Sequence, residues 1–243
     1  IVVHSAFRTW TSPSGDACDH EVHDVDPEDL SDRRVWSDPT PWGGPGFQPP
    51  LKRRLMFRLM RSPLGRSMRL QPTTYLRHGQ PIRLAGREWF AVHTPGHTID
   101  HLCLHDPEAG VILTGDHVLP TITPHISGIG GGRDPLTMFF DSLDRVAALD
   151  ASTVLPAHGH PFSDLAGRCA DIKHHHAERL ERLRKAGAEI GDAPVSEYSK
   201  YLFRPARWGA MADSETYAHL EHLRLQGLAE RHERGGHLHY EVG

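Results

Sequence analysis

Cysteine is scarce in this 243-residue sequence, which contains only Cys18, Cys103 and Cys169, far apart from one another. An odd number with no C-x-x-C pair indicates neither a disulfide framework nor a thiolate zinc site. The sequence also has no apolar run of about 18 residues and no signal-peptide pattern, which predicts a protein without a membrane span. We therefore expect a cytoplasmic protein that does not bind membranes.

The sequence also has no excess of positive charge. The 27 Lys and Arg residues are matched by 31 Asp and Glu residues, which gives a formal net charge of -4. Nucleic-acid phosphates are bound by clustered Lys and Arg, so this balance does not favour a nucleic-acid partner, although local clusters must be judged separately. The length is enough for one sizeable α/β core with a small appendage.

Potential metal ligands follow three predicted strands. Residues 91–120, AVHTPGHTIDHLCLHDPEAGVILTGDHVLP, predict a strand, a Pro-Gly turn that presents His97, a β-hairpin, and a second strand that leads to Asp116. Further along, STVLPAHGHPF predicts a strand followed by a turn that presents His158. Transition metals bind neutral imidazoles and carboxylates on rigid supports, which strand ends provide. The three positions therefore indicate a metal site.

The motifs around these positions resemble a known family. T-P-G-H-T at 94–98, G-D-H at 115–117 and P-A-H-G at 156–159 look like the second half of the signature of the metallo-β-lactamase-fold hydrolases. By this resemblance His97 binds a first metal, Asp116 bridges two metals, and His158 binds the second. The metal implied is Zn²⁺, two ions in an intact family member, with other divalent transition metals also open. The implied reaction is hydrolysis by a metal-activated water.

The sequence departs from the family pattern in one respect. The H-x-H-x-D-H motif that should supply the remaining ligands upstream is missing, and Asp19–Asp24, DHEVHD, approximates it only poorly. The chain opens on Ile1 without a Met, in what looks like the strand that follows the missing motif. We therefore expect an α/β metallo-β-lactamase-like αββα sandwich over residues 1–188 that is N-terminally incomplete, and we assign no catalytic residue.

Other residues near these motifs have implied roles. Asp100 and His101 follow the ligand turn, and we expect them to orient the ligand histidine. In the family the loop after the bridging aspartate lines the substrate cleft, so Thr123, Pro124 and His125 are expected to contact substrate. The run His174–His176 lies in a predicted helix over about 163–186, where successive side chains point apart, so it is not expected to bind one ion.

Two segments before residue 71 could act near the site. LKRRLMFRLMRSPLGRSMRL at 51–70 carries seven basic residues and no acidic one, and predicts a basic amphipathic helix. It could simply cover the core, or its arginines could attract an anionic substrate or a lipid surface. The Pro- and Gly-rich residues 9–50 predict an irregular surface excursion, or a flap in which Trp36, Trp42 or Phe47 closes on substrate.

Residues 189–243 predict a small separate domain. A helix capped at Ser214 is followed by two strands around Arg234-Gly235-Gly236, an arrangement that resembles a winged helix. From Lys200 onward the basic and acidic residues balance, which favours a packing or dimerisation module over a nucleic-acid reader. The sequence therefore leaves open whether the protein forms a homo-oligomer.

Three functions compete at this point. The T-P-G-H-T motif and the basic segment favour a thioester or ester hydrolase acting on a small anionic molecule, such as a hydroxyacylglutathione-like substrate. The winged-helix-like tail favours an endoribonuclease or phosphodiesterase of the same fold. The missing ligand motif leaves open an inactive truncated remnant that serves as a binding module.

Overall fold

A five-stranded mixed sheet forms the centre of the molecule. The computed structural model describes residues 2–4, 40–43, 51–61, 74–128 and 134–243. In spatial order the central sheet contains β3 (Pro81–Leu84), β4 (Arg87–His93), β5 (Leu102–Asp106), β6 (Val111–Gly115) and β7 (Thr153–Pro156). The strands β1 (Val2–His4) and β2 (Thr74–Leu76) form a separate parallel pair. The predicted α/β class is confirmed by this sheet and the helices that cover it.

The strands follow local signals in the sequence. Ala85 and Gly86, both with positive φ, make the tight turn between β3 and β4. The next hairpin turns between Asp106 and Val111. Burial alternates along β5 and β6, as expected for strands with one face against a core. The second of these hairpins was predicted from the sequence and is confirmed.

The directions of the strands determine where their carboxyl ends lie. The pairs β4–β5 and β5–β6 are antiparallel, whereas β6 and β7 are parallel. The strands β4, β6 and β7 therefore run in the same direction and end at the same edge of the sheet. Gly115 pairs with Pro156 at that edge, and the Ala157 amide donates a 2.9 Å hydrogen bond to the Gly115 carbonyl.

Two helices cover the central sheet. The helix α2 (Pro135–Ala147) begins at Pro135, because the Asp134 carboxylate accepts a hydrogen bond from the Thr137 amide and proline fits the first helical position. The helix α3 (Leu165–Ile190) is capped in the same way by Asp164. The main core lies between these helices and the sheet and includes Cys103, Ile112, Ile126, Leu136, Phe139, Val154 and Ile172. None of the helices in the described part of the chain is long and apolar enough to cross a membrane.

The chain after α3, here called the C-terminal unit, supplies most of a second hydrophobic core. It contains β8 (Ala193–Pro194), α4 (Val195–Leu202), a 3-10 turn (Pro205–Arg207), α5 (Ala210–Leu225), β9 (Ala229–Arg234) and β10 (His237–Val242). Its three strands form an antiparallel sheet in the order β8-β10-β9. The end of α3 also packs into this core through Leu183 and Ala186. The boundary at 188 and the winged-helix assignment stay predictions.

Several expectations need correction. The helix α5 begins at Ala210, so Ser214 lies inside it and is not its cap. The helix α1 (Leu51–Arg61) does not cover the core, because Leu51 is 71% exposed and Leu55 is 58% exposed. Trp42 is not part of a flap over the site, since it packs against Tyr217 in the C-terminal core.

Some sequence-based interpretations fall on residues outside the described ranges. They concern Cys18, the weak ligand motif at Asp19–Asp24, the flap residues Trp36 and Phe47, and residues 62–70 of the basic segment.

A buried histidine pair joins α3 to α5. His219 Nδ1 donates to the carbonyl of Glu215 at 2.7 Å, so its Nε2 accepts the 3.0 Å hydrogen bond from His176 Nδ1. Both residues are fully buried, and Phe139 packs edge-on against His176. Burial lowers the pKa of His219 to about 4 and holds the pKa of His176 well below its usual range. Both rings are therefore neutral at pH 7.

This pair predicts acid sensitivity. His176 stays neutral when folded but titrates near its usual pKa when unfolded, so the unfolded chain binds more protons below that pKa and stability falls as the pH falls. Between pH 7 and pH 5 the loss is on the order of 2 kcal/mol for one such group. His176→Gln should flatten the pH dependence of the free energy of unfolding in urea by about this amount. His174→Gln, two positions earlier on an exposed side, is the matched control and should leave the slope unchanged.

Candidate functional site

The predicted metal ligands lie at one edge of the central sheet. His97 is in the turn after β4, Asp116 directly follows β6, and His158 is in the turn after β7. Because β6 and β7 are parallel neighbours, Asp116 and His158 lie side by side, with 3.5 Å between Asp116 Oδ1 and His158 Nε2. The sheet therefore brings these two side chains together from positions far apart in the sequence.

The ring of His97 is held by the loop that follows β6. His97 Nδ1 lies 2.7 Å from the carbonyl oxygen of His125. A carbonyl only accepts hydrogen bonds, so Nδ1 carries the proton and Nε2 keeps its lone pair. A backbone carbonyl that fixes the tautomer in this way is the usual support of a metal-binding imidazole. The structure thus leaves Nε2 of His97 as the nitrogen that can bind a metal.

His101 lies between the ligand positions and supports Asp116. The Asp116 amide donates to His101 Nε2 at 3.3 Å, so His101 Nδ1 carries the proton and donates to Thr94 Oγ1 at 2.7 Å. Burial lowers the pKa of His101 to about 4, and the charge of His97 lowers it further whereas that of Asp116 raises it. Both ring nitrogens of this neutral His101 are engaged within the protein, which suits it to hold the end of β6 in place.

Gly115 is needed for this contact. Its φ of 54° lies in the left-handed region, and a Cβ at this position would lie 2.7 Å from His101 Nε2. A side chain would therefore displace either the His101 ring or the strand end. The position requires glycine for both backbone and packing reasons.

The strand end of β4 is fixed by a similar set of contacts. Ser142 and Arg145 on α2 donate hydrogen bonds to the carbonyls of Pro95 and His93. Burial lowers the pKa of His93 to about 4, although its hydrogen bond to the Ile99 carbonyl and the charge of Asp100 oppose that shift. Asp100 thus acts on the surrounding imidazoles through its charge, and its predicted role in orienting the ligand stays a prediction.

The side chains at this edge supply some, but not all, of the donor atoms that bind a transition metal. Asp116 Oδ1 is buried without a hydrogen-bond partner, because the 3.5 Å approach of His158 lacks hydrogen-bond geometry. A carboxylate oxygen without a hydrogen-bond partner, beside the His158 imidazole, is a donor that a zinc-type ion can use. Among the residues that the structure describes, no three His, Cys, Asp or Glu side chains converge closely enough to form a full ligand set. Burial raises the pKa of Cys103 to about 12, so this cysteine stays a thiol and is no alternative ligand.

The expected substrate residues lie on the loop between β6 and α2. Thr123 is partly exposed, Pro124 is buried, and the His125 side chain turns away to Glu215, with 3.3 Å between His125 Nδ1 and Glu215 Oε2. Arg168 on α3 holds the start of this loop through the carbonyls of Leu119 and Ile122, at 2.7 and 3.0 Å. Contact of this loop with substrate stays a prediction, and the part of His125 that touches His97 is its backbone carbonyl.

Sequence reasoning missed the C-terminal contribution to this loop. Glu215 also binds Arg179 of α3, and the neighbouring Ser214 hydroxyl accepts a 3.2 Å hydrogen bond from the Gly128 amide. Burial alone would raise the pKa of Glu215, but the hydrogen bond to His125 and the charge of Arg179 lower it. The signal available in the sequence was the spacing of Glu215 and His219, which places both on one face of α5.

Comparisons with known proteins agree with this geometry. The sequence model of the metallo-beta-lactamase superfamily matches residues 23–158, more than half of the chain. A solved metallo-beta-lactamase family protein from Thermus thermophilus is 30% identical with a TM-score of 0.65, covering 81% of this chain and 66% of that one. A beta-lactamase domain protein from Burkholderia ambifaria is 31% identical with a TM-score of 0.67, covering 72% and 54%.

Curated relatives match a shorter stretch. The lactamase-like protein vrtG of Penicillium aethiopicum is 34% identical over 119 residues, which are 49% of this chain and 36% of vrtG. The atrochrysone carboxyl ACP thioesterase of Paecilomyces divaricatus is 29% identical over 126 residues, which are 49% of this chain and 38% of that protein. The matched stretch therefore spans little more than a third of the length of these relatives.

Substitutions at two glycines test whether the His101 ring packs tightly against position 115. Gly115→Ala should lower the free energy of unfolding by roughly 2–4 kcal/mol, because left-handed strain adds to a steric clash. Gly86→Ala is the matched control, since Gly86 also has a positive φ but no neighbour within 4 Å. Gly86→Ala should cost only about 1 kcal/mol, from strain alone. Equal losses in urea titrations would show that His101 does not restrict position 115.

Proposed function

Because the chain belongs to the metallo-β-lactamase superfamily, we propose that it is a metal-dependent hydrolase that cleaves thioesters or esters. The observation that carries this proposal is the edge where His97, Asp116 and His158 follow three strands of the same direction, with the buried Oδ1 of Asp116 left without a hydrogen-bond partner. The Asp116 carboxylate therefore keeps a free acceptor atom beside the His158 imidazole, as a metal ligand requires.

Each residue of this edge has a separate task in the proposed reaction. His97 Nε2, the Asp116 carboxylate and His158 would hold the metal, which when bound lowers the pKa of a coordinated water and polarises the scissile bond. The His125 carbonyl keeps the ring of His97 in the tautomer that exposes Nε2. His101 fixes the backbone of Asp116 while staying neutral itself. The metal identity proposed is Zn²⁺, on the basis of the His and Asp donors.

The substrate class proposed is a thioester of an anionic carrier. A relative that matches about half of this chain is named as a thioesterase acting on an acyl carrier protein. In this chain the exposed side chains of Lys52 and Arg58 lie on α1, which has no acidic residue. A cationic helix of this kind raises the local concentration of an anionic substrate. Thioesters of glutathione and of coenzyme A are small molecules with the negative charge that such a cationic helix attracts.

Removal of the ligands tests the metal assignment. His97→Ala and His158→Ala should each lower zinc content and thioesterase rate together, with a rate loss of at least about 100-fold, as expected when a metal ligand is lost. His160→Ala is the control, because His160 is equally exposed two residues beyond His158. Zinc is measured by elemental analysis of the purified chain, and rates are measured with and without chelator. Unchanged zinc in His97→Ala would refute the assignment, and absence of zinc from the unaltered chain would favour a binding module.

A charge reversal tests the substrate class. Arg58→Glu should raise KM for an acyl-coenzyme A thioester several-fold and leave KM for an uncharged thioester unchanged, and the effect should fade at high salt. Arg207→Glu makes the same charge change in the exposed 3-10 turn of the C-terminal unit and serves as the control. Metal-dependent cleavage of single-stranded RNA, with no turnover of thioesters, would contradict the proposal.

A further inference from the structure

The loop that holds His97 is anchored on the C-terminal unit. His125 Nδ1 lies 3.3 Å from Glu215 Oε2, and the Gly128 amide donates to Ser214 Oγ at 3.2 Å. Ile126, between these two contacts, is fully buried in the main core together with Ala218 of α5. Both ends of residues 125–128 thus contact α5, and Ile126 between them lies in the same core as Ala218 of that helix.

The approach of the loop to α5 is close. A Cβ on Gly128 would lie 2.4 Å from Tyr217 Cδ1 and 2.8 Å from the Ser214 carbonyl oxygen. Only a glycine permits such a short distance between the two backbones. The position of the loop is therefore determined by α5.

Glu215 is itself held rigidly. Its side chain is 10% exposed and is bound by Arg179 through the other carboxylate oxygen, Oε1. The carbonyl of the same residue accepts the hydrogen bond from His219, whose ring contacts His176 of α3. A carboxylate that Arg179 holds through Oε1 can hold the imidazole of His125 through Oε2.

From this chain of contacts we infer that Glu215 is a positioning residue for the His97 ring, acting through His125. Glu215 holds the side chain of His125, and the backbone carbonyl of His125 holds Nδ1 of His97. The inference extends the proposed function, because it makes α5 of the C-terminal unit part of the support of the metal site. The unit is then more than a packing module.

The direct test is the tautomer of His97 in the metal-free chain. In the unaltered protein the ¹⁵N chemical shifts of the His97 ring should show the proton on Nδ1. Glu215→Gln and His125→Ala should each shift the ring toward a mixture of tautomers, because the His125 carbonyl is then no longer fixed. His125→Ala keeps the backbone carbonyl and removes the ring that Glu215 binds. The double variant should show no more change than either single variant, since both break one pathway.

The matched control is Glu221→Gln. Glu221 is a second buried carboxylate of α5, bound by Arg224, Arg231 and Tyr240 in the C-terminal core. Its substitution should lower the melting temperature at least as much as Glu215→Gln and leave the His97 spectrum unchanged. A His97 spectrum that responds equally to both variants, or to neither, would overturn the inference.

Zinc affinity provides a second measurement. In competition with a chromophoric chelator, Glu215→Gln should bind zinc about 3- to 10-fold more weakly than the unaltered chain, less than the 10- to 100-fold typical of a partner in direct contact with a ligand. If the unaltered chain binds no zinc, the metal proposal fails, while the tautomer measurement still decides the role of Glu215. The two failures are therefore distinguishable.

Discussion

The parallel pairing of β6 with β7 is the constraint on which the rest of the site depends. It places the ends of both strands at one edge and sets Asp116 Oδ1 at 3.5 Å from His158 Nε2. Parallel neighbours cannot be joined by a tight turn, so the chain must cross over between them. That crossover contains α2, which covers the main core, and the loop whose His125 carbonyl binds His97. The crossover that the parallel pairing requires thus supplies both the helix that covers the main core and the loop that supports the turn with His97.

Two imidazoles near this edge, those of His101 and His117, are held neutral by burial. Burial lowers the pKa of His101 to about 4 and that of His117 to about 3, so neither carries a charge at pH 7. His117 packs edge-on against Phe139, with 5.1 Å between ring centroids. Neutral rings can lie close to one another and to a cationic metal without repulsion, which charged rings could not. The same burial makes the folded state sensitive to acid, because every such ring gains a proton on unfolding.

The sequence predicts much of this architecture because its signals are local. The Ala85-Gly86 turn, the Asp134 cap and the Gly235-Gly236 hairpin are each specified by residues within a few positions, and all three occur in the structure. The order of ligand motifs also predicts that strand ends carry His97, Asp116 and His158. Ser214 could not be interpreted in this way. A serine before an apolar run resembles the N-cap of a helix. In the structure the Ser214 hydroxyl instead binds the Gly128 amide, and a contact between residues 86 positions apart leaves no local signal in the sequence.

The helix α5 shows why the C-terminal unit is not a simple appendage. Ala218 belongs to the main core, whereas Leu220 and Leu223, on another side of the same helix, belong to the C-terminal core. Glu215 and Ser214 face the loop that carries His125. Since α3 also contributes to both cores, the two units share two helices and cannot separate without exposing apolar surface. The C-terminal residues are therefore part of the structure that shapes the site.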